Sequence, residues 1–191
     1  MAKLYFKYGT MNSGKSMLLL AAAHNYASQG RRILVYTTEE YRPEVVSRAG
    51  LRLDAIPLRE ESYSQISNSI NKYGEPVSAI LVDESQFMSE AQVKGLAKIV
   101  DVYNIPVLCY GLKNDFQNKL FPGSAALLAY ADKLEEIKTI CWNCGSKATM
   151  NLRTLNGKPV REGEQVQVGD KEYLPVCRKC YNKRLDTLEI K

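Results

Sequence analysis

The chain has 191 residues, a net charge of +5, 45% apolar and 25% charged side chains. At this length about 70% of the unfolded surface can be buried, so composition points to a packed globular protein and excludes a chain disordered by polarity. The longest apolar run, Met17 to Ala23, follows the charged Lys15 and falls far short of the roughly 20 residues of a membrane span, so neither an anchor nor export is expected.

Lys3 to Gly9 alternates and then turns at glycine, which predicts a first strand. Gly9-Thr10-Met11-Asn12-Ser13-Gly14-Lys15-Ser16 follows with the spacing G-x-x-x-x-G-K-S. A helix is predicted from Gly14 to Gln29, with Leu18, Leu19, Ala22, Ala23 and Tyr26 at helical spacing and Gly30 as its stop. Strand, glycine loop and helix N-terminus together make a phosphate cradle, because converging backbone N–H groups and the helix dipole favour an anion. Lys15 would reach the β and γ phosphates and Ser16 would ligate Mg²⁺. A glycine-rich turn with a surface lysine is the bland alternative. The motif itself does not separate kinases from ATPases, which hold phosphates alike.

Ile33 to Tyr36 reads as a second strand, and Thr37 to Gly50, polar with Pro43 inside, as a surface loop. Ser62 to Tyr73 places Ile66, Ile70 and Tyr73 on one helical face. The apolar run Val77 to Val82 suits a buried parallel strand, and it ends in Asp83-Glu84. Asp83 is placed to hold Mg²⁺, which leaves Glu84 to accept a proton from an attacking hydroxyl, whether of water or of an alcohol. The plain alternative is that both carboxylates merely cap the next element. Ser89 and Gln92 form a capping-box pattern ahead of a helix striped by Val93, Leu96, Val100 and Tyr103, and Ile105 to Tyr110 is the next strand. Strands alternating with helices imply an α/β fold: a parallel sheet flanked by helices, with its ligand site at the C-terminal strand ends.

From about Thr139 the rhythm changes, giving an expected division into a phosphate-loop α/β unit, 1–138, and a smaller unit, 139–191. Cys141-Trp142-Asn143-Cys144 and Cys177-Arg178-Lys179-Cys180 have zinc-knuckle spacing. Four thiolates close a tetrahedral site, so this Zn²⁺ would be structural. Redox or free thiols are the alternative. Cys109, inside an apolar strand, reads as core, and His24 as ordinary packing or surface. The residues between the pairs are enough for a loop that could close over a ligand once its base is pinned, with a solvated surface hairpin as the alternative.

The loop Gly9 to Ser16, the stretch Val82-Asp83-Glu84-Ser85-Gln86-Phe87, the segment Tyr110 to Gly123 and the paired cysteines together resemble the zinc-containing thymidine kinases of bacteria and animal cytosol. Ile105 to Leu112, Lys138 to Cys141 and Glu162 to Val166 bring it nearest the bacterial members. The resemblance implies a RecA-like phosphate-loop fold with a C-terminal zinc-ribbon lasso. It implies transfer of the γ-phosphoryl group of ATP to the 5′-hydroxyl of thymidine, with Glu84 as catalytic base. Asp83, Glu84, Ser85 and Gln86 would stand beside the phosphates. Phe87, Phe116 and Phe121 would line the base pocket, Gln165, Val166, Gln167, Val168 and Gly169 of the lasso would bind thymine, and Tyr173 would lie near the sugar. Gln86 and Arg153 also match the family. It further implies a cytoplasmic homotetramer, feedback binding of dTTP, and neither nucleic acid nor membrane as partner. Where the family usually has an aspartate followed closely by arginine, this chain has Glu40-Tyr41-Arg42.

A phosphate-loop ATPase whose zinc ribbon binds nucleic acid is the competing reading, carried by Arg178, Lys179, Lys183 and Arg184. In that case Glu84 would activate water.

Overall fold

The computed structural model describes residues 1–38, 43–72, 74–160, 162, 163, 165 and 173–186. β1 (Leu4–Gly9) leads through the glycine loop to α1 (Lys15–Ala27), then β2 (Arg32–Thr37). Two short strands, β3 (Glu44–Val46) and β4 (Arg52–Asp54), pair antiparallel as a small ribbon ahead of β5 (Ile56–Pro57). α2 (Ser62–Asn71), β6 (Val77–Asp83), a one-turn 3-10 helix at Ser85–Phe87, α3 (Glu90–Tyr103) and β7 (Val107–Leu112) follow. α4 (Pro122–Tyr130) and β8 (Lys133–Glu136) complete the sheet, whose order is β5-β2-β6-β7-β1-β8 with every pairing parallel.

Alternation along the buried strands feeds two cores. Ile80 and Val82 of β6 pack with Ile66, Val93, Leu96, Ile99 and Leu127 under α2, α3 and α4. Leu81, between them, points the other way and joins Leu19, Leu20 and Ala23 of α1. A sheet buried on both faces explains why β6 is almost continuously apolar. The capping box forms as expected: Gln92 N–H donates to Ser89 Oγ (3.1 Å) while Ser89 N–H donates to Gln92 Oε1 (2.9 Å).

The remaining strands, β9 (Met150–Leu155), β10 (Lys158–Pro159) and β11 (Tyr173–Val176), form a separate antiparallel sheet in the order β10-β9-β11, followed by α5 (Arg178–Asp186). Among the described residues no helix is long and apolar enough to cross a membrane.

Four details differ from the sequence reading. The buried face of α1 runs through Leu19, Leu20 and Ala23 while Leu18 is exposed, because the sheet lies over a stripe rotated from the one counted. β3 falls within the stretch read as loop. β7 starts two residues later than read, since Pro106 has no N–H to give the ladder and contributes only its carbonyl, to Ile80 N–H (2.9 Å). α4 and β8 had no counterpart in the sequence reading. Tyr73 lies outside the described residues.

Candidate active site

β1, β6 and β7 end at one edge of the sheet, with β7 between the other two. That order brings the glycine loop, the acidic pair and the segment after Leu112 together. Gly14 has φ of 84°, a left-handed conformation that glycine takes without Cβ strain, and it starts α1 at Lys15. A Cβ on Gly9 would lie 2.4 Å from Ser13 Oγ and 2.7 Å from the Ile137 carbonyl, so the loop can fold back only over bare backbone. Lys15 Nζ donates to the Thr10 carbonyl (2.9 Å). Burial lowers the Lys15 ammonium pKa, against the opposing pull of Glu84 and Asp83. The hydroxyls of Thr10 and Ser13 are buried with no protein partner, a donor set that suits phosphate oxygens.

Asp83 is buried at the end of β6. Its desolvated carboxyl, next to the negative Glu84, is raised to about 7 even though Ser16 and Lys15 pull it down. Glu84 itself sits at φ 51°, ψ 34°, a left-handed conformation uncommon for a side chain other than glycine. Three contacts hold it there. Thr38 Oγ1 donates to its carbonyl (2.8 Å), Gln86 Nε2 donates to its Oε2 (2.6 Å), and Leu112 N–H donates to Gln86 Oε1 (2.9 Å). The last two tie the carboxylate to the end of β7. Ser85 and Gln86 are buried in this turn. The turn rests on two glycines, since a Cβ at Gly111 would come within 2.5 Å of Ser85 Oγ and one at Gly123 within 2.4 Å of the Ser85 carbonyl.

Beyond Leu112 the aromatic residues form two pairs. Phe87 and Phe121 meet edge to face at 5.6 Å between centroids, and Phe116 meets Tyr173 at 6.5 Å, with the Arg153 guanidinium 5.1 Å from the Phe116 ring centre. Phe116 and Phe121 are buried, whereas Phe87 is 41% exposed. Gln165 Nε2 donates to Asp115 Oδ2 (2.9 Å), which brings this part of the lasso to the segment after β7. Val166, Gln167, Val168 and Gly169 lie outside the described residues, as do Glu40, Tyr41 and Arg42.

The sequence reading missed Asp115 and Asn151. Asp115 is buried and also accepts from the N–H groups of Gln117 and Lys119 (2.9 and 2.8 Å), which builds the turn behind Phe116. Asn151 bridges Met11 N–H (2.8 Å) and the Asn114 carbonyl (2.9 Å). A signal was present, because asparagine is depleted in strands and Asn151 stands between Met150 and Leu152.

The sulfur atoms of Cys141, Cys144, Cys177 and Cys180 all lie within 4.8 Å of one another, with Cys144 and Cys177 at 3.6 Å. Four thiolates around one zinc at about 2.3 Å would be spaced roughly 3.8 Å apart, so the cluster suits a closed tetrahedral metal site. Hydrogen bonds from Ser146, first its side chain and then its backbone, bring Cys144 down to about 6, and the Asn143 amide donates to Cys180 Sγ (3.2 Å). Gly145 makes the knuckle turn at φ 73°. Cys109 is fully buried in β7, where burial pushes its thiol pKa up, as befits a core residue, and His24 is exposed on α1.

Known proteins match this sequence along nearly the whole chain. The family model for thymidine kinase matches residues 2–181. The chain belongs to the thymidine kinase family. A thymidine kinase of Lactococcus lactis subsp. lactis is 50% identical over 188 residues, covering 96% of this chain and 98% of the relative. Those of Streptococcus pyogenes serotype M28 and Enterococcus faecalis are each 52% identical over 186 residues, covering 95% of this chain and 97% and 95% of the relatives. Membership makes the chain a kinase, so the glycine loop and the carboxylates at the same sheet edge belong to a phosphoryl-transfer enzyme.

Proposed function

We propose that the protein transfers the γ-phosphoryl group of ATP to the 5′-hydroxyl of thymidine, giving dTMP and ADP. The observation that carries this reading is the placement of Glu84. Its carboxylate is fixed by Gln86 and lies near enough to Lys15 to bear on its ionisation.

In this reading the loop Gly9–Ser16 wraps the ATP phosphates, with Lys15 on the β and γ groups and Thr10 and Ser13 donating to phosphate oxygens. Ser16 and Asp83, close enough for Ser16 to lower the Asp83 pKa, would share Mg²⁺, which when bound neutralises charge on the β and γ oxygens. Ser85 and Gln86 keep the turn beside the phosphates. Glu84 takes the proton of the 5′-hydroxyl as its oxygen bonds to the γ phosphorus and the bond to the bridging oxygen of ADP breaks. Phe87, Phe116 and Phe121 enclose the base, Tyr173 stands near the sugar, and Gln165 to Gly169 supply lasso contacts to thymine. Cys141, Cys144, Cys177 and Cys180 would hold a structural Zn²⁺, which would pin the base of a lasso unit spanning 139–191 beside a phosphate-loop unit of 1–138. The same reading takes the enzyme as a cytoplasmic homotetramer with feedback occupancy by dTTP.

ADP release is measured with and without thymidine, and the nucleoside product is identified. Release that requires thymidine and yields the 5′-monophosphate is the expected result. Release indifferent to thymidine but stimulated by DNA or RNA would overturn the reading in favour of a nucleic-acid-dependent ATPase.

A further inference from the structure

A polar side chain buried in a strand must find partners or destabilise the fold. Asn151 is 3% exposed in β9 and finds both of its partners on the main chain of the other sheet's loops. Its Oδ1 accepts from Met11 N–H, 140 positions away in the middle of the glycine loop. Its Nδ2 donates to the Asn114 carbonyl, 37 positions away, where the segment bearing Asp115 and Phe116 begins. One amide therefore spans the two halves of the site.

We propose that Asn151 is a positioning residue that fixes the donor-side glycine loop against the acceptor-side segment after β7. Both partners are backbone groups, so no side chain of Met11 or Asn114 can substitute for the bridge. The bridge is held in turn by the cysteine cluster. β9 pairs with β11 through Met150↔Val176 and Asn151↔Pro175, Thr149 N–H donates to the Val176 carbonyl (3.0 Å), and Cys177 follows at once. Tyr181, one residue past Cys180, donates its hydroxyl to the Phe116 carbonyl (2.5 Å), a second tie from the same unit to the same segment. A structural metal held by Cys141, Cys144, Cys177 and Cys180 would in this way steady the strands that carry the bridge.

The inference rests on the assignment of ATP to the glycine loop and thymidine to the segment after β7, and its primary test is made without either substrate. Amide hydrogen exchange is read on the ligand-free, zinc-loaded protein for residues 9–16 and 113–120. Asn151→Ala removes both bonds, and exchange in both segments is expected to quicken by about tenfold while β6 and the zinc content stay as in the wild type. Asn151→Asp, read at a pH where its carboxylate is ionised, keeps the volume and an acceptor for Met11 N–H but has no donor for Asn114. It should therefore loosen 113–120 and leave 9–16 protected. At saturating ATP and thymidine, Asn151→Ala should also lower kcat about tenfold or more, which loss of bulk stability alone would not do. Unchanged exchange at 9–16 in Asn151→Ala, equal loosening of both segments in both variants, or kcat within twofold of wild type would each overturn the proposal. If Asn151→Ala does not fold, the isosteric Asp variant still decides through its asymmetry. A wrong substrate assignment would change the kinetics and leave the exchange pattern as described.

Discussion

Gly111→Ala probes how rigidly Glu84 is held. The new Cβ would stand 2.5 Å from Ser85 Oγ, 2.8 Å from Gln86 Oε1 and 2.9 Å from Gln86 N, where ordinary contact begins at 3.4 Å. Ser85 must therefore retreat by about 0.9 Å and Gln86 by about 0.5 Å or more. A retreat of that size stretches the 2.9 Å bond from Leu112 N–H to Gln86 to the limit of a hydrogen bond, and the partner of the Glu84 carboxylate moves with it. Misplacement near 1 Å can lower turnover by about 10²-fold, so kcat at saturating ATP and thymidine should fall by about that factor. The ATP KM should move little, because the glycine loop is untouched. Overpacking should also destabilise the fold by about 1–3 kcal/mol. Gly30→Ala separates the two effects: Gly30 lies at φ 66° with nothing near its missing Cβ, so this variant loses about 1 kcal/mol and keeps its kcat. The assay is ADP release beside thermal melting of both variants. Turnover of Gly111→Ala within twofold of wild type would refute the argument that Gln86 positions Glu84.

Glu84→Gln should retain ATP affinity in equilibrium binding while phosphoryl transfer drops by about 10²–10⁴-fold, and near-normal turnover would remove Glu84 from its role. Asp83 makes the ligand-free protein pH-dependent. Its folded pKa is raised from 3.8 to about 7, so the native state keeps a proton that the unfolded chain has released. The resulting stability is complete below 3.8 and is lost as pH rises through about 7. Melting of the zinc-loaded, Mg²⁺-free and nucleotide-free enzyme from pH 5 to 8 should show this decline, and Asp83→Asn should flatten it. Cys177→Ser should lower zinc content, expose 139–160 to limited proteolysis and abolish thymidine-dependent ADP release; full activity in a zinc-free protein would contradict a structural metal.

Local chemistry made much of the site legible. The glycine loop, the acidic end of β6, the capping box of Ser89 and Gln92 and the two cysteine pairs each depend on spacing within a few residues. What depends on packing was harder to read. α4 runs Pro-Gly-Ser-Ala-Ala-Leu-Leu-Ala-Tyr and buries Gly123, Ser124, Ala126 and Leu127, so small residues blur any apolar stripe. β8 reads Lys-Leu-Glu-Glu because it is an edge strand, and charge there is tolerated and blocks further pairing. Asn151 and Asp115 act across long sequence separations, which no spacing rule can register. Phe116 and Phe121 have the burial of ordinary core, so burial by itself does not separate a pocket role from simple packing.

The turn from Glu84 to Met88 is seated on Gly111 and Gly123, where even a methyl group would strike main-chain atoms or the buried Gln86. Redesign of the pocket for bulkier nucleoside analogues therefore has no room to work from beneath that turn, since enlarging its seat shifts the proton acceptor before it reshapes the cavity. If Phe87 lines the base pocket as proposed, this residue, 41% exposed and set at right angles to Phe121, is the wall that can be trimmed while the seat stays still. Selection for altered substrate range should accordingly gather changes at Phe87 and the lasso and leave both glycines alone.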